Sequence, residues 1–449
     1  TRITRHALRI ITPMKFHLLT LGCPKNVVDS EGMTRLLVQD GHVPVATARQ
    51  ADVVIVNTCG FIGIAKEESL NVLAAAGRTK RRGQVLIAAG CLAERFAADL
   101  QVQAPYVDAV LGTRHWDQIP ALVARLGFGA TAPASKRATP PAHAGPRPSA
   151  YLKIADGCYS SCAFCVIPQI KGPYQSKPVD QVLAEARDLA DQGVQEIVLV
   201  AQDTTLYGSD RGVRDGLASL LEELLASVPS VPWLRIMYAY PQHITPRLIR
   251  TMAENPRVCR YLYLPLQHAH PATLQRMGRP SNVDQARELI GRLREAMPGI
   301  ALRSSFIVGY PGETEAEFAA LLAFLREVRL DRAGFFTYSP EEGTVAAGLP
   351  GTVSPRVKRA RFGRAMAMQQ GISLARNQEW VGRTVDVLIE GAPADKAGPR
   401  LFAGRPYRDA PEVDGMVLVQ GDSPAGAEAG LVGRIVPVRI TGATEYDLW

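Results

Sequence analysis

Three cysteines within eight residues, Cys158-Tyr159-Ser160-Ser161-Cys162-Ala163-Phe164-Cys165, sit directly behind the short apolar segment Tyr151-Leu152-Lys153-Ile154. Thiolates in so dense a Cys-x3-Cys-x2-Cys run can grip one metal centre, so whatever the chain folds into must present this loop to a ligand. Zinc ribbons complete four ligands by repeating Cys-x2-Cys knuckles. Here no fourth cysteine follows until Cys259. Iron-sulfur cubanes are normally held by four thiolates; one held by three keeps an iron free for a small molecule, the vacancy that catalysis needs. A structural zinc loop, or three unrelated thiols, is the alternative that spacing alone leaves open.

A chain of 449 residues is too long for one ordinary core and suggests two or three domains. Its longest apolar runs, such as Val85-Leu86-Ile87-Ala88-Ala89, fall far short of the ~20 residues that span a bilayer. No membrane partner is therefore expected. The first thirteen residues carry Arg2, Arg5 and Arg9 without an apolar core or cleavage pattern, so they read as a disordered extension ahead of Met14 and not as a secretory signal. Seven cysteines, six of them in contexts suited to metal, point to a reducing cytoplasm.

Residues 14–126 alternate apolar runs with helical-period segments, the grammar of a doubly wound parallel sheet. A cysteine stands just beyond three of the strands, in Gly22-Cys23, Thr58-Cys59-Gly60 and Gly90-Cys91. Ligands of such sheets bind beyond the carboxyl ends of the strands, so Cys23, Cys59 and Cys91 form a second three-cysteine site. Taken singly, each is more often a small buried hydrophobe, and zinc is the alternative occupant. Residues 127–149, rich in Ala, Pro, Arg and Ser, read as a linker.

In 150–378, six strands are expected at Leu152–Ile154, Ile197–Ala201, Leu234–Tyr238, Tyr261–Leu264, Leu302–Val308 and Gly334–Tyr338. Helices such as Val179–Asp191 and Glu315–Val328 fall between them, giving a partial (β/α)6 barrel with the Cys158 loop at its catalytic face. Arg356 to Glu379 reads as a long last helix. Residues 379–449 show short alternating strands, a small antiparallel β-barrel. That last segment carries seven basic and eleven acidic residues, net −4, against +12 for the rest of the chain.

The Cys158 to Cys165 run, with Phe164 before its third cysteine, resembles the signature of radical S-adenosylmethionine (SAM) enzymes. Together with Cys23-Pro24-Lys25-Asn26, Asn57-Thr58-Cys59, Gly90-Cys91-Leu92 and Gly309-Tyr310-Pro311-Gly312-Glu313-Thr314, it makes nearly the whole chain similar to the methylthiotransferases. Gln202-Asp203-Thr204-Thr205, Glu341-Glu342-Gly343-Thr344, Arg408 to Gly415 and Tyr446-Asp447-Leu448 favour the branch acting on an aspartate of ribosomal protein uS12. The resemblance implies an N-terminal auxiliary-cluster domain, a radical SAM barrel and a C-terminal TRAM barrel. It further implies two 4Fe-4S clusters, with metal ligands Cys23, Cys59 and Cys91 in one and the catalytic Cys158, Cys162 and Cys165 in the other. The catalytic cluster cleaves SAM to a 5′-deoxyadenosyl radical. The auxiliary cluster presents a sulfur species, methylated by a second SAM, to the substrate carbon. A reductase or flavodoxin-type electron donor and a monomeric state are expected with it.

Further cofactor contacts are expected around the barrel mouth. Gln202 and Asp203 suit the methionine end of SAM, and a turn-capping Asp is equally compatible. Arg303 suits a carboxylate of SAM or substrate, or a structural ion pair. Ile307, Val308 and Gly309 pass the adenine, while Gln267 and His268 face the same mouth; His268 also reads as a satisfied core histidine, and Cys259 as a buried core thiol. Two rivals remain: the same chemistry on a tRNA adenosine, and a two-cluster electron carrier. An RNA-gripping module should be basic, whereas the C-terminal one is acidic; a carrier should show four-cysteine clusters.

Overall fold

A computed structural model describes residues 13–128, 147–279, 282–392, 401–421 and 430–449. Residues 1–12 of the expected extension, most of the expected linker, and Asp395, Lys396, Arg400, Asp422 and Glu428 lie outside the described residues. Two compact units result: one holds residues 13–128 together with Ile167–Gly172, the other the remainder.

In the first unit, β1 (Lys15–Thr20), β2 (Val43–Pro44), β3 (Val53–Thr58), β4 (Val85–Gly90) and β5 (Ala109–Gly112) form one parallel sheet in the order β2-β1-β3-β4-β5. This is the doubly wound order whose switch point, and hence ligand crevice, lies between β1 and β3. Alternation along buried β3 sends Val53 and Ile55 to α1 (Pro24–Gln39) and α5 (Ile119–Arg125) on one face. Val54 and Val56 meet α2 (Gly63–Thr79), α3 (Cys91–Arg95) and α4 (Ala97–Gln103) on the other. The short α6 (Ile167–Lys171), from beyond the Cys158 loop, also belongs to this unit, where Arg114 Nε donates to Ile170 O at 2.8 Å.

The second unit contains all six expected parallel strands. β6 (Ser149–Lys153), β9 (Glu196–Val200) and β10 (Trp233–Ile236) form one sheet; β11 (Tyr261–Tyr263), β12 (Ala301–Val308) and β13 (Arg332–Thr337) form another. The Leu234 to Val258 bridge, together with Ala239 N donating to Tyr263 O at 2.8 Å, joins them into a partial barrel. A two-stranded ribbon, β7 (Ala155–Asp156) with β8 (Gln175–Ser176), flanks the cysteine loop. Helices α7 (Val179–Asp191), α8 (Gly216–Ser227), α9 (Pro246–Glu254), α10 (Pro271–Arg276), α11 (Val283–Ala296) and α12 (Glu315–Val328) separate the strands, and the capping box of Thr314 with Glu317 starts α12. The 24-residue α13 (Pro355–Gln378) follows, its start marked by the Ser354 cap and Pro355. No helix among the described residues is long and apolar enough to cross a membrane.

After α13, β14 (Thr384–Gly391), β15 (Leu401–Pro406), β16 (Val417–Gln420) and β17 (Ile435–Arg439) make a curled antiparallel sheet in the order β16-β15-β14-β17. Val387, Ile389, Phe402, Val417 and Leu448 fill it. The segment from Arg405 to Asp414 stands against the amino ends of the barrel strands, away from the cysteine loop. Arg405 reaches Glu196 (2.6 Å) and Ser149 (2.8 Å), Arg235 meets the other oxygen of Glu196 (2.6 Å), Arg332 binds Asp409 (2.8 Å) and Arg408 binds Asp331 (3.0 Å). Asp414 takes Arg303 and the Tyr261 hydroxyl, the latter at 2.7 Å. Asp409 and Asp414 are therefore spent on buried guanidinium groups and do not face a partner, while Arg405 and Arg408 of the same segment are buried on carboxylates in turn, so these pairs leave its surplus of four acids unchanged.

Candidate metal centres

In the first unit each cysteine is delivered by a strand end. Cys23 caps α1 ahead of Pro24, Cys59 follows β3, and Cys91 opens α3 behind β4. Gly22 has φ +92°, and a Cβ there would stand 2.8 Å from Cys59 Cβ and 3.1 Å from its sulfur, so only glycine lets the Cys23 turn approach Cys59. A Cβ on Gly60 would lie 2.7 Å from Leu92 Cα, which seats the Cys59 turn on the Cys91 turn. Beneath them Asn26 is fully buried. Its Nδ2 donates to Leu21 O (2.9 Å) and Thr58 O (3.2 Å), while its Oδ1 accepts from Cys91 Sγ at 3.7 Å. Asn57 Nδ2 in turn donates to Asn26 O and Ser30 Oγ, both at 2.9 Å.

Burial pushes the Cys91 thiol up to about 12, with Lys171 opposing, and raises Cys59, with the backbone N–H of Phe61 opposing. Lys171 is itself fixed by Asp29 (3.0 Å) and Thr113 Oγ1 (2.6 Å). At two of the three cysteines burial thus disfavours the thiolate, the form a metal needs as its ligand and would favour on binding. Among the described residues no three Cys, His, Asp or Glu side chains converge on a single ion; a cubane, whose thiolates bind different irons, asks for a wider triangle.

In the second unit Cys158, Cys162 and Cys165 are all half-exposed and reduced. They line a turn closed by Cys165 N donating to Cys162 O (3.1 Å), and Ser160 N donates to Cys158 Sγ (3.3 Å). The loop is pinned on two sides, by Ala163 N to Met277 O and by Ala346 N to Ala163 O, both 2.8 Å. Arg279 Nη1 reaches Cys162 Sγ at 3.6 Å.

The expected cofactor residues divide into two groups. Phe164 meets Tyr310 edge-on at 6.5 Å, and with Ile307 it joins the apolar cluster of Ala163, Met277, Tyr310 and Tyr338 beside the loop. Gln202, after β9, donates Nε2 to Asp156 at 2.9 Å, whereas its buried Oε1 has no partner. That acceptor fits an incoming ammonium group, as SAM carries. Gln267, half-buried with φ +70°, is fixed by its backbone to Ser305 O and Ile307 N, both 2.8 Å. Asp203, by contrast, is engaged by the protein: it caps Thr205 N at 2.9 Å and accepts from His243 Nδ1 at 2.9 Å. Arg303 gives its Nη1 to Asp414 and Val413 O, the structural ion pair that the sequence had left open.

Gly309 N donates to Glu313 at 2.5 Å, and Glu313 also binds Arg361 (2.6 Å) and His268 Nε2 (3.0 Å) in full burial. His268 is accordingly a satisfied core histidine. Val308 is buried in the core of the barrel unit. Cys259 is a buried thiol that burial pushes up to about 12. Sequence reasoning quoted Asn26, Asn57 and Glu313 within motifs without giving them tasks, and passed over Lys171, Arg279 and Arg361, whose partners lie far off along the chain.

Residues 15–112 match the family described as uncharacterized protein family UPF0004, 152–325 the radical SAM superfamily and 381–449 the TRAM domain. The protein called ribosomal protein uS12 methylthiotransferase RimO from Roseiflexus sp. (strain RS-1) is 52% identical, covering 97% of this chain and 96% of its own. Its namesake from Chloroflexus aurantiacus is 53% identical over 97% of this chain and 99% of its own. Among solved structures, the radical S-adenosylmethionine methyltransferase TsrM from Kitasatospora setae, with tryptophan and a SAM analog bound, superposes with a TM-score of 0.56. It is 14% identical and covers 80% of this chain and 89% of that one, a likeness of fold alone.

Proposed function

The chain belongs to the ribosomal protein uS12 methylthiotransferase family, and from that premise we propose that it replaces a hydrogen on the β-carbon of a uS12 aspartate with a methylthio group. The observation that carries this reading is the pair of three-cysteine sites, one in each compact unit, each a thiolate short of a closed four-ligand cluster. The protein is a radical SAM transferase with two 4Fe-4S clusters and SAM as cofactors. When bound, the catalytic cluster supplies the electron that cleaves SAM, and the auxiliary cluster supplies the sulfur.

Cys158, Cys162 and Cys165 hold the first cluster, and Cys23, Cys59 and Cys91 the second. The unpartnered Oε1 of Gln202 takes the ammonium group of SAM, while Phe164, Ile307, Gly309 and Gln267 shape the wall beside it. Asn26 and Asn57 keep the auxiliary turns together. A monomer in the cytoplasm, reduced by a reductase or flavodoxin-type donor, completes the reading.

Anaerobic reconstitution tests it. The full chain should hold about eight irons, four per cubane, and modify uS12 in the presence of SAM and reductant, as read by mass spectrometry. Changing Cys158, Cys162 and Cys165 together to Ala should halve the iron and abolish 5′-deoxyadenosine. The Cys23, Cys59 and Cys91 triple variant should still cleave SAM but transfer nothing. Deoxyadenosine from the first variant, methylthio product from the second, or a tRNA product in place of uS12 would overturn the assignment.

A further inference from the structure

Arg279 is a buried cation, 6% exposed, for which no carboxylate stands within ion-pair distance among the described residues. Its guanidinium stacks 4.2 Å above the Tyr240 ring, gives Nη2 to Pro265 O at 2.6 Å and Nη1 to Cys162 Sγ at 3.6 Å, and leaves a buried Nε unpaired. Rings and carbonyls ease desolvation without cancelling charge, and an isolated buried ion is costly unless something opposes it. The chain brings the arginine to the cysteine loop by design: a Cβ on Gly278, at φ +65°, would stand 2.8 Å from Ser161 O, so only glycine lets the turn after α10 lie against that loop.

We propose that Arg279 is the counter-ion and hydrogen-bond donor of the cluster on Cys158, Cys162 and Cys165, a positioning residue that sets the cluster's reduction potential; this rests on the reading of that loop as the catalytic cluster site. A 4Fe-4S core of charge 2+ on three thiolates carries net −1, and one electron takes it to −2. An adjacent fixed cation favours both states and favours the reduced one more. Hydrogen bonding to sulfur and local charge are the protein's levers on such potentials. A guanidinium suits the task because it stays charged and its planar fork serves Cys162 and Pro265 at once.

The test uses the reconstituted full chain in an anaerobic redox titration followed by electron paramagnetic resonance, tracking the signal component that responds to added SAM. Arg279→Gln should move its midpoint to more negative potential, lowering the reduced fraction at a fixed poise on the order of tenfold, with iron content retained. Arg279→Lys, which keeps the charge without the fork, should fall between. Wild-type protein labelled with 15N-arginine should show a weak nitrogen coupling to the reduced cluster in pulsed measurements, a readout that needs no variant. A SAM-responsive signal with unchanged midpoint in Arg279→Gln, even if SAM affinity drops, removes the proposal alone. Absence of the 15N coupling in wild type does the same. A signal indifferent to SAM removes the reading of the loop as well.

Discussion

Gln202 and Asp203 are neighbours of similar chemistry, and what separates their roles is which of their atoms the protein has already used. Asp203 has its oxygens filled by Thr205 and His243, whereas Gln202 keeps a buried, unpartnered Oε1. Gln202→Leu should therefore weaken SAM binding about tenfold, the loss of one charge-assisted hydrogen bond, while the lost bond to Asp156 should cost no more than about 1 kcal/mol of stability. Asp203→Ala should cost about 1–2 kcal/mol of stability in denaturant titrations and move SAM affinity less than about threefold. The reverse pattern would return Asp203 to the cofactor. At this scale the two cysteine triads proposed as cluster sites were legible as candidates, Cys158, Cys162 and Cys165 from their spacing and Cys23, Cys59 and Cys91 from their places after three strands. Arg303 and His268 were not, since their roles are decided by Asp414 and Glu313, partners remote in sequence.

Strands and helices long enough to show a period were legible as elements; the two-residue ribbon of β7 and β8 is too short for any period to register. Convergence of three strand ends was also readable, because a parallel sheet forces its carboxyl ends to one side. What sequence could not show is the clasp between those ends. Asn26 ties the turn after β1 to Thr58 at the end of β3 and touches Cys91 behind β4. Asn26→Ala takes the donor from the buried Thr58 carbonyl and from the half-buried Leu21 carbonyl and should cost roughly 1–3 kcal/mol. Metal analysis of the reconstituted variant should find iron falling from about eight toward about four per chain, with SAM cleavage preserved. Iron staying at the wild-type level would mean that the three turns hold their places without it.

The net charge of the C-terminal segment says how far its acids outnumber its bases but not which of them face solvent, because a composition count weighs buried and exposed charges alike. Glu196, fully buried between Arg235 and Arg405, is held down to about 2 by those guanidinium groups against the cost of its own burial. Its folded-state value lies below the ordinary 4.5, so its contribution is complete above that pH and is lost as pH falls from there toward about 2. Glu196→Gln, which leaves two buried cations facing a neutral amide, should cost about 3–5 kcal/mol at neutral pH and flatten acid unfolding across that window. The same logic sorts the C-terminal acids. Asp414→Lys should destabilise the protein outright, since Asp414 is the buried partner of Arg303 and Tyr261. Asp386 and Glu445 enter no ion pair among the described residues and remain candidates for attracting a basic protein. Exposed charges steer encounter more than they hold a complex, and they are screened beyond about 10 Å at 0.1 M salt. Reversing Asp386 and Glu445 to Lys should therefore slow uS12 modification about two- to fivefold at low salt and hardly at all near 0.5 M, while SAM cleavage without uS12 is unchanged. Equal rates at low salt would show that Asp386 and Glu445 play no part in drawing the substrate in.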